Sequence, residues 1–566
     1  MAACNYQSLW QASDPWANIP ARYNLGAALT QANVEAGRGN RVCLLWENSD
    51  GLSRQFTYAE MNDASSRFAS ALARLGVRRG DRVLLRLPNL PEFYIAALGV
   101  AKLGGVFIPS STQFRAAEIE YRLRDSGAVA AVTTTSLTAE VGIARAASPE
   151  LRHLIVVADS SVEVGAVDVG PVEVESVEKG DDRVAGEQLD FWDLIAKGDP
   201  AFVAADTASD EVAFIAYTSG TTGDPKGVVH LHRYPISYEP LIRHWLDFRD
   251  DDVCSCPAEV GWLLPVACTF LYAMRRGIRI VLFHPRDGRF QPEAWFKLIE
   301  KHRITNFVGT PTIYRMLTAH PAVAQARLSS LRHGVSAGEP LPPDTIAAVQ
   351  RHLGFEPLDG IGMSECMVYC YNMVGMPTVA GSCGRPGPGC VIKLLDEDLV
   401  EVPVGEEGVL CVRRDTHPGM MKEYWQKLEQ TAEIFRGEWY YSGDVLSRDA
   451  DGLFWFKGRR DDVIKASGYR ISPFEVESCL AEHPAVLESA VVSSPDPVRG
   501  SVVKAFVVPR SGFEPSEDLA LELQNWVKEH AAGYKYPRKV EFVTELPKTA
   551  SGKIKRRQLR QREFGE

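Results

Sequence analysis

The 566-residue sequence lacks the features that would place it on nucleic acid or in a membrane. Its net charge is −11 and its pI is about 5.7, so it has no excess of positive charge to attract nucleic acid or an anionic lipid surface. Its longest apolar run, near residues 93–109, is interrupted by Lys102 and by several glycines. Because such a run is too short and too broken to cross a bilayer, we expect no membrane span and no nucleic-acid partner.

The sequence also lacks a disulfide framework and a recognisable secretory signal. It has 11 cysteines, an odd number, and neither of the closest pairs, Cys254 with Cys256 and Cys366 with Cys370, has a zinc-site spacing. The N-terminal MAACNYQSLW has no basic region followed by an apolar core. Reduced thiols and no export signal favour a cytoplasmic location.

What remains is typical of a large globular α/β protein. Hydrophobic residues make up 45% of the chain and charged residues 24%, and the length is sufficient for two to four domains. Residues 58–75 have helical spacing of apolar positions, 82–87 resemble a strand, and 92–103 resemble a second helix. This alternation predicts mixed α and β layers. Residues 162–182, where valine alternates with acidic residues and glycine, are interpreted as a surface excursion.

A domain boundary is predicted near residue 458. Glycine and charged residues cluster over 451–462, and shorter strands and helices follow to the end of the chain. We therefore expect a large N-terminal domain over residues 1–458 and a smaller, mobile C-terminal domain over 459–566. Hinges are often a few loop residues that absorb a large backbone change, and Asp461 lies in the turn that would do so.

The segment 217–230, YTSGTTGDPKGVVH, has the composition of a phosphate-binding loop. It follows the apolar run Val212–Tyr217, and its glycines, hydroxyls and lysine can supply backbone N–H groups, donors and positive charge. The candidate residues are Thr218, Ser219, Gly220, Thr221, Thr222, Gly223 and Lys226. Gly227 follows Lys226 where a Walker loop needs Ser or Thr, so a kinase or GTPase is not indicated. A flexible surface loop is the alternative for this segment taken alone.

Three further segments carry weaker signals when each is considered alone. DGIGMSE (359–365) contains Glu365, which could complete the shell of a magnesium ion, or could be an exposed loop acid. Asp444 with Arg459 could bind ribose hydroxyls, or Asp444 could be a turn residue. Lys553, after a Ser-Gly pair in a basic tail, could reach a phosphate or could be one more solvated lysine.

In their order and spacing, these segments resemble the adenylate-forming superfamily over nearly the whole chain, with the medium-chain acyl-CoA synthetase branch as the nearest resemblance. The motifs that carry it are FIPSSTQ (107–113), YTSGTTGDPKGVVH, EVGW (259–262), GTPTIYRML (309–317), DGIGMSE, GRRDDVIKASGYRISPFEVE (458–477), VVSSPDPVRGSVVKAFVV (491–508) and YKYPRKVEFVTELPKTASGKI (534–554).

The resemblance implies an AMP-forming acyl-CoA synthetase. Such an enzyme joins a carboxylic acid to ATP, releases pyrophosphate, and then transfers the acyl group from AMP to the thiol of coenzyme A. Magnesium and lysine would screen the repulsion between carboxylate and triphosphate. ATP, magnesium and CoA are therefore the expected cosubstrates and cofactor, and a homodimer stays open as the assembly state.

The resemblance also assigns roles to individual positions. Thr218 to Lys226 would bind the β- and γ-phosphates, Asp444 and Arg459 the ribose, and Glu365 magnesium, with Lys226, Glu365 and Lys553 as catalytic residues. The positions expected around adenine and the α-phosphate are Asp359, Gly360, Ile361, Gly362, Met363 and Ser364. The positions expected to bind CoA are Gln113, Ser467, Gly468, Tyr469, Arg499, Lys528, Tyr536, Pro537 and Arg538.

The acid substrate is the least defined part. Trp262, Ser364 and Arg470 are expected at the acyl end, and the apolar residues after Glu365 favour an uncharged acid. A short- to medium-chain or branched aliphatic acid is expected first. Ile361 replaces an aromatic residue common in relatives, and benzoate-type ligases resemble the chain there, so an aryl acid is the alternative. A carrier-protein thiol in place of CoA, and a non-catalytic nucleotide or acyl-CoA sensor, are the other two alternatives.

Overall fold

The computed structural model describes residues 6, 10, 14 and 16–565, apart from 160–187, 219–223, 286–287, 461, 463, 467–468, 497–499, 532–534 and 550–551. The excursion predicted over 162–182 and the hinge residue Asp461 therefore lie outside the described residues. The chain forms two compact units. The first comprises Met1–Thr218, Lys226–Val391 and Arg413–Glu438, and the second includes Ile392–Val412 and Trp439–Glu566.

The first unit contains a seven-stranded sheet that carries the predicted phosphate loop. Its strands, in spatial order, are Gln188–Asp190, His153–Val157, Ala130–Thr134, Arg82–Arg86, Val106–Pro109, Val212–Tyr217 and Gly227–Leu231. All neighbours are parallel except the last two, which are antiparallel. The strand predictions at 82–87 and 212–217 are confirmed.

A nine-stranded sheet in the same unit carries the DGIGMSE motif. Its strands, in spatial order, are Arg385–Pro386, Cys370–Tyr371, Leu358–Ile361, His333–Ala337, Asn306–Gly309, Val253–Ser255, Arg279–His284, Val42–Asn48 and Ser53–Thr57. The central strands are parallel, and antiparallel pairs occur at both edges. The first unit also contains the short strand Phe435–Arg436.

The helix Pro91–Leu103 explains how the first unit holds its sheets. Twelve of its 13 residues are buried, and it shares one hydrophobic core with strands of both sheets. Because nearly every residue of this helix is covered by neighbouring segments, its stability depends on the packing around it. Proline at its first position and Gly104, in the left-handed conformation after its end (φ 77°), set its limits. The helix predicted at 92–103 is confirmed.

The helix predicted at 58–75 is confirmed as Tyr58–Arg74, and Thr57 and Glu60 form a capping box at its start. The other α-helices of the first unit are Leu25–Leu29, Gln31–Asn33, Ala116–Ser126, Thr138–Arg145, Phe191–Ala196, Tyr234–Ser237, Glu239–Leu241, Leu263–Pro265, Ala273–Arg276, Pro292–His302, Pro311–Ala319, Pro343–Leu353 and Leu428–Ile434. Short π-helices cover Val34–Arg38, Ile242–Leu246 and Val266–Tyr272, and short 3-10 helices cover Thr135–Leu137, Pro321–Gln325 and Arg414–Thr416.

The second unit is built from small sheets and three described helices, and its strand pairs are antiparallel except that Gly500–Pro509 runs parallel to Lys539–Phe542. One sheet contains, in order, Ile392–Leu395, Glu407–Arg413, Trp439–Arg448 and Phe454–Arg459. The others are the pair Ile464–Ala466 with Tyr469–Ile471, and the set Val486–Asp496, Gly500–Pro509 and Lys539–Phe542. The helices are Pro473–Ala481, Glu517–His530 and Arg556–Phe564.

The mixed α/β class, with a large and a small part, is confirmed. The two units are defined by internal packing, whereas the boundary predicted between residues 458 and 459 concerns motion about Asp461. That boundary stays a prediction. Among the described residues, no helix is both long enough and apolar enough to cross a membrane.

Candidate active site

Thr218 and Lys226 close the predicted phosphate loop at its two ends. The Thr218 N–H donates to the Lys226 carbonyl at 3.0 Å, and the Lys226 N–H donates to the Thr218 hydroxyl oxygen at 3.0 Å. These two contacts continue the antiparallel pairing of the strands on either side. The residues between them that were predicted to bind phosphate, Ser219, Gly220, Thr221, Thr222 and Gly223, lie outside the described residues, and their role stays a prediction.

Tyr424 brings together two of the predicted catalytic residues. The Lys226 ammonium lies 4.8 Å from the centre of the Tyr424 ring, and the Tyr424 hydroxyl donates to Oε1 of Glu365 at 2.5 Å. Tyr424 and Glu365 are both buried. A cation over the ring face is attracted to it, and a hydrogen bond to an ionised carboxylate is among the stronger kinds. The ring thus holds a positive and a negative group at the closed end of the loop.

Residues 421–425 position this tyrosine by extending the sheet. The Lys422 N–H donates to the Val229 carbonyl at 2.9 Å, and the Val229 N–H donates to the Glu423 carbonyl at 3.0 Å. The Met421 N–H donates to the Glu365 carbonyl at 2.7 Å, which ties the glutamate backbone to the same segment. The sequence reasoning missed Tyr424, because no local motif connects it with a glutamate 59 residues earlier.

The DGIGMSE motif is a strand end followed by a tight turn. A Cβ on Gly360 would lie 2.5 Å from Val368, and one on Gly362 would lie 2.6 Å from the Met367 backbone, so both positions require glycine. The Met363 N–H donates to the Cys366 carbonyl at 2.9 Å and closes the turn. Ile361 ends the strand, and Ser364 and Glu365 follow on the turn.

Asp359 is a buried carboxyl group in this strand. Burial raises its pKa to about 8, although hydrogen bonds with the backbone of Leu341 and Gly360 lower the pKa in part. The carboxyl group is therefore mostly protonated at neutral pH. Its Oδ1 has no hydrogen-bond partner among the described residues. Ser336, directly opposite in the parallel neighbouring strand, also has a buried hydroxyl without such a partner. Buried polar atoms of this kind are normally satisfied by a ligand or by water.

His230 lies next to the backbone of Ser364, which is predicted to contact the acyl group. Burial lowers the pKa of His230 to about 3, although a hydrogen bond with the Ser364 backbone raises the pKa in part. The imidazole is therefore neutral. Its ring stacks on Phe214 with centroids 4.7 Å apart. The other predicted acyl residue of this unit, Trp262, is half-buried and meets Phe114 edge to face at 5.7 Å.

In the second unit, Asp444 and Arg459 face each other across two antiparallel strands. They are register partners, and the guanidinium donates to Oδ1 of Asp444 at 3.0 Å. The Asp444 N–H donates to the Ser442 hydroxyl oxygen at 3.1 Å, and that hydroxyl donates to the Leu410 carbonyl at 2.7 Å. A carboxylate oriented by an arginine in this way can accept hydrogen bonds from a diol, and the ribose role stays a prediction.

Three residues predicted to bind CoA form a cationic cluster in the second unit. The Lys528 ammonium lies 4.4 Å and the Arg538 guanidinium 4.7 Å from the centre of the Tyr536 ring. Lys528 and Arg538 are exposed, whereas Pro537 between the aromatic and the arginine is buried. Two exposed cations fixed on one ring suit an anion such as a phosphate.

Lys553 is presented at the tip of a short hairpin. The Thr549 N–H donates to the Lys553 carbonyl at 2.7 Å, and the Lys553 N–H donates to the Thr549 hydroxyl oxygen at 3.1 Å. The side chain of Lys553 is exposed. On either side, Lys548 pairs with Glu488 and Arg556 pairs with Glu477, so the lysine extends from an anchored backbone.

The remaining predicted positions are not tested by this geometry. Tyr469 and Arg470 lie in the strand Tyr469–Ile471, and only the backbone of these two residues is described. Ser467, Gly468 and Arg499 lie outside the described residues. Their assignment to CoA, and that of Arg470 to the acyl end, stay predictions.

Comparison with known proteins identifies the family. A model described as AMP-binding enzyme matches residues 30–425, and a model described as AMP-binding enzyme C-terminal domain matches residues 475–553. The chain belongs to the AMP-binding enzyme family. The predicted adenylate-forming superfamily is thereby confirmed.

Individual relatives in this family extend the similarity to nearly full length. An uncharacterized acyl-CoA ligase of Bacillus subtilis, YtcI, is 36% identical over 96% of this chain and 97% of its own. The mitochondrial acyl-coenzyme A synthetase ACSM3 of Mus musculus is 35% identical over 99% of this chain and 93% of its own. The crystal structure of the anthranilate CoA ligase AuaEII with anthranoyl-AMP has a TM-score of 0.84 and 32% identity, covering 96% of this chain and 98% of that chain. The AMP-binding enzyme is thus an AMP-forming acyl-CoA ligase.

We expect Tyr424→Phe to weaken nucleotide use without unfolding the enzyme. The substitution keeps the ring under Lys226 but removes the hydroxyl that donates to the Glu365 carboxylate. Because a hydrogen bond to a charged group contributes about 1.5–3 kcal/mol, the KM for ATP with magnesium should rise at least about tenfold. Pyrophosphate release measured against ATP and magnesium tests this.

Tyr58→Phe removes a buried hydroxyl that donates to the Ile278 carbonyl and serves as the control. Equal KM values in Tyr424→Phe and Tyr58→Phe would contradict the assignment.

We expect Asp359→Asn to stabilise the protein in a pH-dependent way. The folded-state pKa is about 8, whereas the unfolded value is about 3.9. Between these values the folded protein holds a proton that the unfolded chain releases, so the aspartate lowers stability increasingly as pH rises through that window. The neutral asparagine amide has no proton to release on unfolding, so its stability lacks this pH dependence. Thermal midpoints measured from pH 4 to 8 should diverge in favour of the variant, and a difference that does not change with pH would refute the protonation.

Proposed function

We propose that this ligase activates a short- to medium-chain or branched aliphatic carboxylic acid and transfers it to CoA. In the first half-reaction a carboxylate oxygen forms a bond to the α-phosphorus of ATP, the bond to the bridging oxygen breaks, and pyrophosphate leaves. In the second, the CoA thiol loses its proton and attacks the acyl carbon, and AMP leaves. The net products are acyl-CoA, AMP and pyrophosphate.

The observation that carries this proposal is the arrangement of Lys226 and Glu365 on Tyr424. Carboxylate and triphosphate are both anions, so the first half-reaction needs positive charge close to the phosphates. Lys226 supplies it at the end of the loop. Magnesium is bound in nucleotide sites by one or two carboxylates together with phosphate oxygens, and Glu365 fits that donor set. When bound there, magnesium would neutralise part of the phosphate charge.

The buried polar atoms of Asp359 and Ser336 support an adenine site at the same motif. A protonated carboxyl group can both donate and accept a hydrogen bond, and the edge of adenine offers an amino donor beside ring-nitrogen acceptors. Asp359 is predicted to face the base, and its Oδ1 and the Ser336 hydroxyl have no partner among the described residues. A base bound there would satisfy both.

The cluster of Lys528, Tyr536 and Arg538 favours free CoA as the acceptor. CoA carries three phosphate groups, whereas a phosphopantetheinyl carrier protein presents one. Two exposed cations on one ring are suited to the additional phosphates. A cytoplasmic location belongs to the same proposal and rests on the sequence alone, and a homodimer stays open as the assembly state.

An aryl acid is the second candidate substrate. The solved anthranilate CoA ligase to which the chain is similar acts on an aryl acid, and benzoate-type ligases resemble the chain at Ile361, at the end of the strand Leu358–Ile361. Trp262 and Phe114 provide an aromatic wall suited to either class. Because a single methylene changes specificity by only about 1–3 kcal/mol, chain length is decided by assay.

A substrate panel tests the proposal. Purified protein should release pyrophosphate and form AMP and a CoA thioester in equal amounts with at least one acid from a set of two- to twelve-carbon aliphatic acids and benzoate-type acids. Aliphatic acids should give the highest kcat/KM. A maximum on an aryl acid would favour the second candidate. Thioester formed on a phosphopantetheinyl carrier but not on CoA would contradict the acceptor, and no AMP with any acid would contradict the function.

A further inference from the structure

The turn Ser110 to Phe114, which carries the predicted CoA residue Gln113, is held by a buried arginine. Arg86 is 1% exposed and ends the strand next to the one that leads into this turn. Its guanidinium donates to the Thr112 carbonyl at 2.8 Å and to the Phe114 carbonyl at 2.8 Å. These bonds fix the backbone on both sides of Gln113.

Glu259 holds the same turn from the opposite direction. Its Oε1 accepts from the Thr112 N–H at 2.7 Å, and its Oε2 accepts from the Ser111 hydroxyl at 2.7 Å. The Ser111 hydroxyl oxygen in turn accepts from the Gln113 N–H at 3.2 Å. A Cβ on Gly261 would lie 2.6 Å from the Ser111 backbone, so the two chain segments touch directly.

The result is an exposed side chain on an immobilised backbone. Gln113 is exposed, but its own N–H and both backbone polar groups of Thr112 are already bonded. A ligand contact made from a fixed backbone costs less conformational entropy than one made from a mobile loop. The bonds from Glu259 therefore act on Gln113 through the turn.

The described hydrogen bonds of the Glu259 side chain go to this turn, whereas the backbone of Trp262 is held by a main-chain bond. The Trp262 N–H donates to the Glu259 backbone carbonyl at 3.1 Å, and the indole packs on Phe114 at the end of the turn. A change in the Glu259 carboxylate therefore acts first on the turn and reaches the Trp262 indole only through Phe114, while the main-chain bond that places the predicted acyl residue is kept.

We propose that Glu259 is a positioning residue for the second half-reaction. By fixing the turn it places Gln113 for CoA, and it has no part in forming the acyl-adenylate. The inference rests on the proposed function, because the role of Gln113 in CoA binding is part of it.

The test separates the two half-reactions in Glu259→Gln. The amide nitrogen of glutamine cannot accept, so one of the two bonds to the turn is lost. We expect the KM for CoA in thioester formation to rise about tenfold, with acid-dependent ATP–pyrophosphate exchange within about twofold of wild type. Ser111→Ala removes one bond to Glu259 and the acceptor of the Gln113 N–H, so it should raise the same KM by at least as large a factor.

A matched control tests a merely structural role. Glu92 is another buried glutamate of the first unit; it accepts from the Arg54 guanidinium at 2.6 and 2.9 Å and from the Trp192 indole at 3.2 Å. Glu92→Gln should lower the thermal midpoint and leave the KM for CoA unchanged. If Glu259 acts only on overall stability, the two variants will behave alike, and the proposal is wrong.

A double-variant cycle gives the second measurement. If Glu259 acts through Gln113, Gln113→Ala combined with Glu259→Gln should have the same KM for CoA as Gln113→Ala alone. Full additivity, or an equal rise in the KM for acid or ATP, would overturn the proposal. If wild-type protein formed no CoA thioester at all, the proposed function itself would fail, which is a separate outcome.

Discussion

The ring of Tyr424 lies under the Lys226 ammonium, and its hydroxyl donates to the Glu365 carboxylate. The contact joins three parts of the chain: the end of the phosphate loop, the turn after Gly362, and the segment 421–425 that extends the sheet. The ammonium contacts the face of the ring and the carboxylate accepts from its hydroxyl, so each charge has a partner on Tyr424. The ammonium remains suited to phosphate and the carboxylate to a divalent cation.

The two large sheets of the first unit place three parts of the predicted machinery at the carboxyl ends of their strands. Thr218 follows Val212–Tyr217, the turn with Gln113 follows Val106–Pro109, and Gly362 follows Leu358–Ile361. Ligands of open parallel sheets bind at such ends, because the loops there converge while the strands stay rigid. The fully buried helix Pro91–Leu103 supplies the core that holds the strands. The predicted site residues named here thus lie on loops, and the contacts that anchor each loop fix the positions of those residues.

Sequence reasoning found the pieces of the site that are local. Helical periodicity located Tyr58–Arg74 and Pro91–Leu103, and the glycines of DGIG lie where no side chain fits. It missed the contacts between segments that are far apart in the sequence. Tyr424 reaches a glutamate 59 residues away, and Glu259 reaches a serine 148 residues away. The protonation of Asp359 could not be predicted either, since it follows from burial that only the folded chain creates.

We propose that adenylation and thioester formation use different residues, with Lys553 needed only for the first. The most direct measurement compares both half-reactions in wild type and Lys553→Ala, starting the second from preformed acyl-adenylate. We expect ATP–pyrophosphate exchange to fall by about 10²- to 10³-fold, as when a preorganised electrostatic contact to the transition state is lost, and thioester formation to stay within about twofold. Loss of both half-reactions to the same extent would contradict the claim.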